Sequence, residues 1–205
     1  DVNLGPSVMI LNARECGHGF RVYGPEPVLM SIRVDVGKPL PPVYHYHPKE
    51  HPAEIARYFG AKPGEALPFD RQGSHPIQKL MSDYVVRHAE LPTIWEDAGF
   101  TRKVYVGEGG LDHDTCRKEM WGIPSRVALQ PFTRPVEDAF LVLEGSLTVG
   151  WDENGETVEV ELGPRDLVKT PAGRAHWVRN DGAGAATVWH VIGQSSDDGV
   201  VYRAA

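Results

Sequence analysis

The stretch Pro171-Ala-Gly173-Arg-Ala-His176-Trp-Val-Arg-Asn180 sets one imidazole just beyond a turn-forming Pro-x-Gly. Pro171 and Gly173 suit a sharp turn, because glycine takes backbone angles closed to other residues. On the strand that leaves the turn, side chains alternate, so His176 and Val178 share one face and Trp177 and Arg179 the other. A histidine whose neighbour two along is valine is expected to face an interior. An imidazole titrates near neutral pH and offers nitrogen ligands, so His176 suits either proton transfer or metal binding. Acids that could fix its tautomer or share its proton stand upstream, Glu137 and Asp138 in VEDAFLVLEGSLTVG. His190, in TVWHVIG, lies on a strand from which it can point inward beside His176. Phe140 and Val178 are expected to face a bound molecule, and Gln130 offers an amide oxygen.

A second group of ligand-type residues occurs earlier. YHYHPKEHPAE brings His45, His47 and His51 close to Glu50 and Glu54. On an extended strand His45 and His47 face the same way, as an H-x-H pair must to reach one metal. Pro48 and Pro52 interrupt a continuous helix to His51. An exposed polar loop is the plainer reading of this run. No nucleophile elbow, P-loop, HExxH or dinucleotide fingerprint occurs, and GEGG (107–110) lacks the strand–helix context of a phosphate loop and reads as a turn.

These residues must be held by elements, and the second half of the chain reads as antiparallel β. RKVYVGEG, SRVALQPF, DLVKTP, AHWVRN and ATVWHVIG are short runs of β-branched and aromatic residues bounded by Gly, Pro or Asn-Asp. In DAFLVLEGSLTVGWDENGETVEVEL an apolar strand from Ala139 to Val149 is expected to turn at Asp152–Gly155 into ETVEVEL, since Asn154-Gly155 supplies the positive φ angles of a tight hairpin. Strands so regularly spaced, without helices between them, indicate a closed barrel or sandwich. In the first part SVMILNA, FRVYG and PVLMSIRVDVG look like strands, HPAEIARYFGA like a short helix, and HPIQKLMSDYVVRH fits helical spacing ambiguously. A soft boundary near Gly99 separates an N-terminal arm, 1–99, from a barrel, 100–205.

Composition narrows the partners. The chain has 205 residues, 41% of them hydrophobic, enough to bury a real core. Acidic residues outnumber basic ones 28 to 21, and the net charge of −7 argues against nucleic acid or an anionic membrane as the main partner. Two distant cysteines, Cys16 and Cys116, make neither a disulfide framework nor a thiolate metal site, and fit a cytoplasmic location. No apolar run approaches membrane-spanning length.

At this point the residues resemble the cupin superfamily. Pro171-x-Gly173-x-x-His176-x-x-x-Asn180 matches the second cupin motif at every fixed position, and Asp138 followed by Gly145 in DAFLVLEG resembles the end of the first. The resemblance covers roughly residues 100 to 195. It implies a double-stranded β-helix, a jelly-roll-like barrel with the site inside it, and a homodimer, with residues 1–99 either an added arm or a reduced second cupin half. The first motif usually carries H-x-H shortly before its acid, but here that region reads ALQPFTRPVED. A metal site of the usual kind then lacks ligands, and His176 would need help from His45 and His47. Three functions stay open. One is a metal-independent enzyme, an isomerase, cyclase, dehydratase or lyase, acting on a small molecule with His176 and Asp138 or Glu137. Another is a metal-dependent dioxygenase holding iron, nickel, manganese or zinc on non-standard ligands. The last is a non-catalytic ligand-binding or scaffold barrel.

Overall fold

The computed structural model describes Val8–Ile10 and residues 85–202. The chain divides into two compact units, Asp1–Val85 and Val86–Ala205, ahead of the boundary expected near Gly99. In the first unit Val8–Ile10 is a strand, β1, inside the expected SVMILNA run. The remaining strands and the short helix expected of the arm lie outside the described residues. The ambiguous HPIQKLMSDYVVRH segment ends as strand β2, Val85–Arg87, and a single 3-10 turn at His88–Glu90.

The second unit is antiparallel β throughout. Its strands are β3 (Ile94–Trp95), β4 (Thr101–Val106), β5 (Arg117–Ile123), β6 (Phe132–Thr133), β7 (Asp138–Glu144), β8 (Leu147–Glu153), β9 (Glu156–Leu162), β10 (Leu167–Thr170), β11 (His176–Arg179), β12 (Ala186–Ile192) and β13 (Val201–Tyr202). They form a six-stranded sheet in the order β10-β7-β12-β5-β4-β3 and a five-stranded sheet in the order β13-β6-β11-β8-β9. Neighbours in these sheets are often distant in sequence, which is how the chain wraps around a common interior. Among the described residues no helix is long and apolar enough to cross a membrane.

The alternating pattern decides which side chains fill that interior. On β12 Ala186, Val188, His190 and Ile192 are buried while Thr187, Trp189 and Val191 are only half-buried. Strand β11 shows the same alternation, with His176 and Val178 inward. Phe132, Phe140, Val142, Leu147, Val149 and Val178 meet between the sheets in one apolar cluster, each 2% exposed or less.

Two expectations change here. The run from Ala139 to Val149 is two strands in different sheets, β7 and β8, broken at Gly145. Gly145 sits at φ +76, and a Cβ there would meet the carbonyl oxygen of Ala185 at 2.7 Å. Gly145→Ala is therefore expected to destabilise the barrel by about 1–3 kcal/mol, read as a lower urea midpoint with unchanged m-value. The second change concerns SRVALQPF, whose only strand residue is Phe132, paired through β6. Arg126 turns at φ +65, and Pro124 and Pro131 have no N–H to donate to a ladder. A strand not named from the sequence, β5, RKEMWGI, lies beside β12, its charged residues disguising it. The hairpin at Asn154-Gly155 forms as the sequence implies, with φ +53 and +86, and joins β8 to β9.

Candidate active site inside the barrel

Each polar residue of the interior is placed by strand register. His190 on β12 stands opposite Glu119 on β5 and Phe140 on β7. Asp138, at the start of β7, stands opposite Ile192 on one side and Thr170 of β10 on the other. His176 comes from the other sheet, opposite Phe132 on β6 and Trp151 on β8, and reaches across the interior to Asp138. The turn before it is the expected one, with Gly173 at φ +74 donating its N–H to the Arg134 carbonyl at 2.8 Å. Asn180, which closes the motif, is buried and donates through its side chain to the Ile123 and Gly184 carbonyls.

Asp138 is the centre of the cluster. Its Oδ2 lies 3.3 Å from His190 Nε2, 3.4 Å from His176 Nε2 and 3.0 Å from Arg134 Nε. Beyond His190 stands Glu119, with Oε2 at 3.6 Å from Nδ1 and accepting from the Trp121 indole at 2.6 Å. The other oxygen of Glu119 accepts from Arg117 and, at 3.1 Å, from Arg102. The cluster thus runs His176, Asp138, His190, Glu119, with arginines flanking both acids. The rings are fixed by packing. Phe140 stacks on His190 at 4.6 Å and 9°, Trp121 lies 4.2 Å from His190, and Phe132 meets His176 edge-on at 4.3 Å.

These neighbours set the charges. Burial pushes the Asp138 carboxyl up, but hydrogen bonds from His176 and His190 and the charge of Arg134 outweigh it and hold the group at about 2. Burial likewise acts on Glu119, and His190, Arg117 and Arg102 together carry it well below the usual carboxylate range. Both acids are therefore anionic at neutral pH. His176 Nδ1 lies 3.0 Å from the Arg174 carbonyl, which can only accept, so Nδ1 carries the hydrogen. A neutral ring would then turn its Nε2 lone pair toward the Asp138 carboxylate, while a proton at Nε2 makes an ion pair with it.

The structure therefore brings together His176, Asp138, His190, Phe140 and Val178. Glu137 falls outside this group: it faces away from the interior and pairs with Lys169 at 2.8 Å, both more than half exposed. Gln130 is exposed and is not part of the cluster. His45 and His47 lie outside the described residues. Glu119, Arg117, Arg134, Arg102 and Asp197 were not singled out in the sequence. A signal for Glu119 exists, since Arg117, Glu119, Trp121 and Ile123 alternate along RKEMWGI and the charged pair continues an apolar face.

A metal does not fit these residues. Phe132 and Arg134 stand where the H-x-H pair of a cupin first motif would lie, and the Arg134 guanidinium already neutralises Asp138 at 3.0 Å. A divalent cation beside it would meet a fixed positive charge. Among the described residues no three His, Cys, Asp or Glu side chains form a ligand set.

The cupin domain family matches residues 123–193, the span from the end of β5 to the end of β12. The barrel has the cupin fold. Similar folds occur in the formate complex of the oxalate decarboxylase from Lactobacillus farciminis, at TM-score 0.56 and 13% identity over 77% of this chain and 51% of that one. Peruvianin-I, a cysteine peptidase from Thevetia peruviana latex, matches at TM-score 0.52 and 18% identity over 63% of this chain and 82% of that one. At such identities the likeness concerns the cupin fold alone. No protein of curated function matches the sequence.

Proposed function

We propose that this cupin is a metal-independent enzyme that moves a proton on a small polar molecule, in the manner of an isomerase, cyclase, dehydratase or lyase. The observation that carries the reading is the buried His176–Asp138–His190–Glu119 chain, in which both imidazoles set Nε2 within 3.4 Å of one Asp138 oxygen. In this reading His176 gives or takes the substrate proton at Nε2. Asp138 orients its ring and stabilises the imidazolium. His190, sandwiched between Phe140 and Trp121 and backed by Glu119, keeps Asp138 ionised rather than touching substrate. Asp138 Oδ1 and the Thr170 hydroxyl are buried without hydrogen-bond partners among the described residues, and they provide an acceptor and a donor for substrate beside the proton-carrying pair. A buried polar atom left unpaired costs about 1–3 kcal/mol, so a ligand that satisfies these groups gains by doing so.

The test uses tag-free protein. Its metal content is measured first, and a panel of small carbonyl, hydroxy-acid and sugar compounds is then screened for saturable binding and turnover. Expected are a metal content far below one per chain and a substrate whose kcat falls by about 10²–10⁴ in His176→Asn, with KM changed far less. Stoichiometric metal that disappears in His176→Ala would overturn the metal-independent reading. Turnover unaffected by His176→Asn would overturn the proton-transfer reading.

A further inference from the structure

Ion pairs run outward from both buried acids, each through one arginine, and meet on a loop carboxylate. Side-chain exposure rises from 0% at Asp138 through 3% at Arg134 to 34% at Asp197, and from 0% at Glu119 through 19% at Arg102 to the same Asp197. Asp197 bridges the arginines, with Oδ1 at 2.5 Å from Arg134 Nη1 and Oδ2 at 2.7 Å from Arg102 Nη1. The same Arg134 guanidinium holds Asp138 through Nε, so the Asp197 carboxylate lies one guanidinium away from the His176–Asp138 pair. Arg102 in turn also meets Glu119 and, at 2.5 Å, Glu96.

The segment that carries Asp197 is a polar strap between β12 and β13, G-Q-S-S-D-D-G, with a glycine at each end. Few bonds tie it to the barrel. Gly193 donates to the Glu137 carbonyl at 3.0 Å and Glu108 donates to the Ser195 carbonyl at 2.8 Å, whereas Gln194 spends its amide on Ser196 and Asp198 within the strap itself. The arginines are held otherwise. Arg134 is almost wholly buried beneath the strap, and Arg102 rises from the second position of β4. The cations thus belong to the barrel, and the anion that bridges them sits on the strap.

We propose that Arg102 and Arg134 are the recognition pair for the carboxylate of a small organic acid, that Asp197 fills this place as an intramolecular stand-in, and that the ligand displaces it. This rests on the proton-transfer reading for its purpose, since it names the class of substrate delivered to His176, but the binding itself does not require that reading. A carboxylate is favoured because the place is already shaped to one, each oxygen receiving one arginine N–H. Exchange of Asp197 for a ligand carboxylate leaves the charge between the two guanidinium groups unchanged. It also frees the strap over the Arg134 end of the interior.

The experiment titrates sodium acetate into the full chain, with sodium chloride at equal ionic strength as the control and inorganic phosphate as a second anion. A tethered carboxylate competes at an effective concentration of order millimolar. Asp197→Ser and Asp197→Asn are therefore each expected to bind acetate about tenfold or more tightly than the wild type, and Arg102→Gln to lose that gain. In the wild type, saturating acetate is expected to lower amide-exchange protection at Glu108, whose N–H is bonded to the strap, and chloride is not. The proposal fails if acetate acts no differently from chloride in both Asp197 variants. It fails equally if Arg102→Gln binds acetate as well as its parent, or if phosphate binds more tightly than acetate. His176→Asn separates the two readings. Acetate binding kept while turnover is lost supports both, whereas His176-dependent turnover on uncharged molecules, with no acetate binding, overturns this one alone.

Discussion

Glu119→Gln is expected to lower the stability of the barrel by about 3–5 kcal/mol, seen as a large fall in the urea midpoint. The carboxylate is fully buried and accepts from Arg117, Arg102 and the Trp121 indole while facing His190. A glutamine of the same shape removes the charge but not the arginines, and Arg117 is itself only 5% exposed. An unpaired buried cation is among the most destabilising defects a core can carry. The Lys169–Glu137 pair supplies the control, because both side chains are 57% exposed. Lys169→Ala should move the midpoint by less than about 1 kcal/mol, since water screens an exposed pair. Equal effects at the two sites would mean that Glu119 is not neutralising a buried cluster.

The second large effect is a dependence on pH that runs through Asp138. Its carboxyl is held at about 2, below the ordinary 3.8, so the folded state favours the ionised form. A depressed carboxyl contributes its full stability above the unfolded value and loses it as pH falls through the folded one. Asp138 therefore contributes about 2 kcal/mol at neutral pH, which disappears between about pH 4 and pH 2. Asp197 and Glu119 are depressed in the same sense, their arginine neighbours overcoming the cost of burial, and steepen the same acid limb. Asp138→Asn should be less stable at pH 7 by at least that amount and should show a shallower decline from pH 4 to pH 2. An unchanged slope in urea titrations across this range would show that the two imidazoles and Arg134 do not hold the carboxylate. The same variant tests function independently of stability. If Asp138 steadies a protonated His176, its loss should move the pH profile of turnover as well as lower its height.

The arginine at position 134 bears on both predictions. In the first motif its place belongs to a histidine, and Phe132 takes the place of the other. A guanidinium neutralises Asp138 without offering coordination sites, so the interior has the electrostatic support of a cation. Arg102, Arg117 and Arg134 together face the acids Glu119, Asp138 and Asp197.

Local features of this protein were legible in its sequence. Pro171-x-Gly173 dictates the turn before β11, alternation turns His176 and Val178 inward, and Asn154-Gly155 closes the β8–β9 hairpin. Asp138 was likewise identifiable, through its distance from Gly145 in a recognisable motif. Each of these depends on residues a few positions apart, where backbone sterics and the period of a strand act directly. The β7–β8 break was harder to see because apolar residues run on both sides of Gly145, and only the crowding by Ala185 shows that the chain must change sheets there. Glu119 escaped because charged residues on β5 read as solvated until a barrel closes around them.

What lies across the interior was decided by tertiary structure alone. Strand alternation states which face a side chain takes, and it is silent on what faces it from another sheet. His176 meets Asp138, His190 meets Glu119, and Asp197 reaches Arg102 over 95 positions of chain only when both sheets and the final strap are assembled. Charges buried together must be matched within a few ångströms, and that matching is a property of the closed barrel rather than of any segment of it.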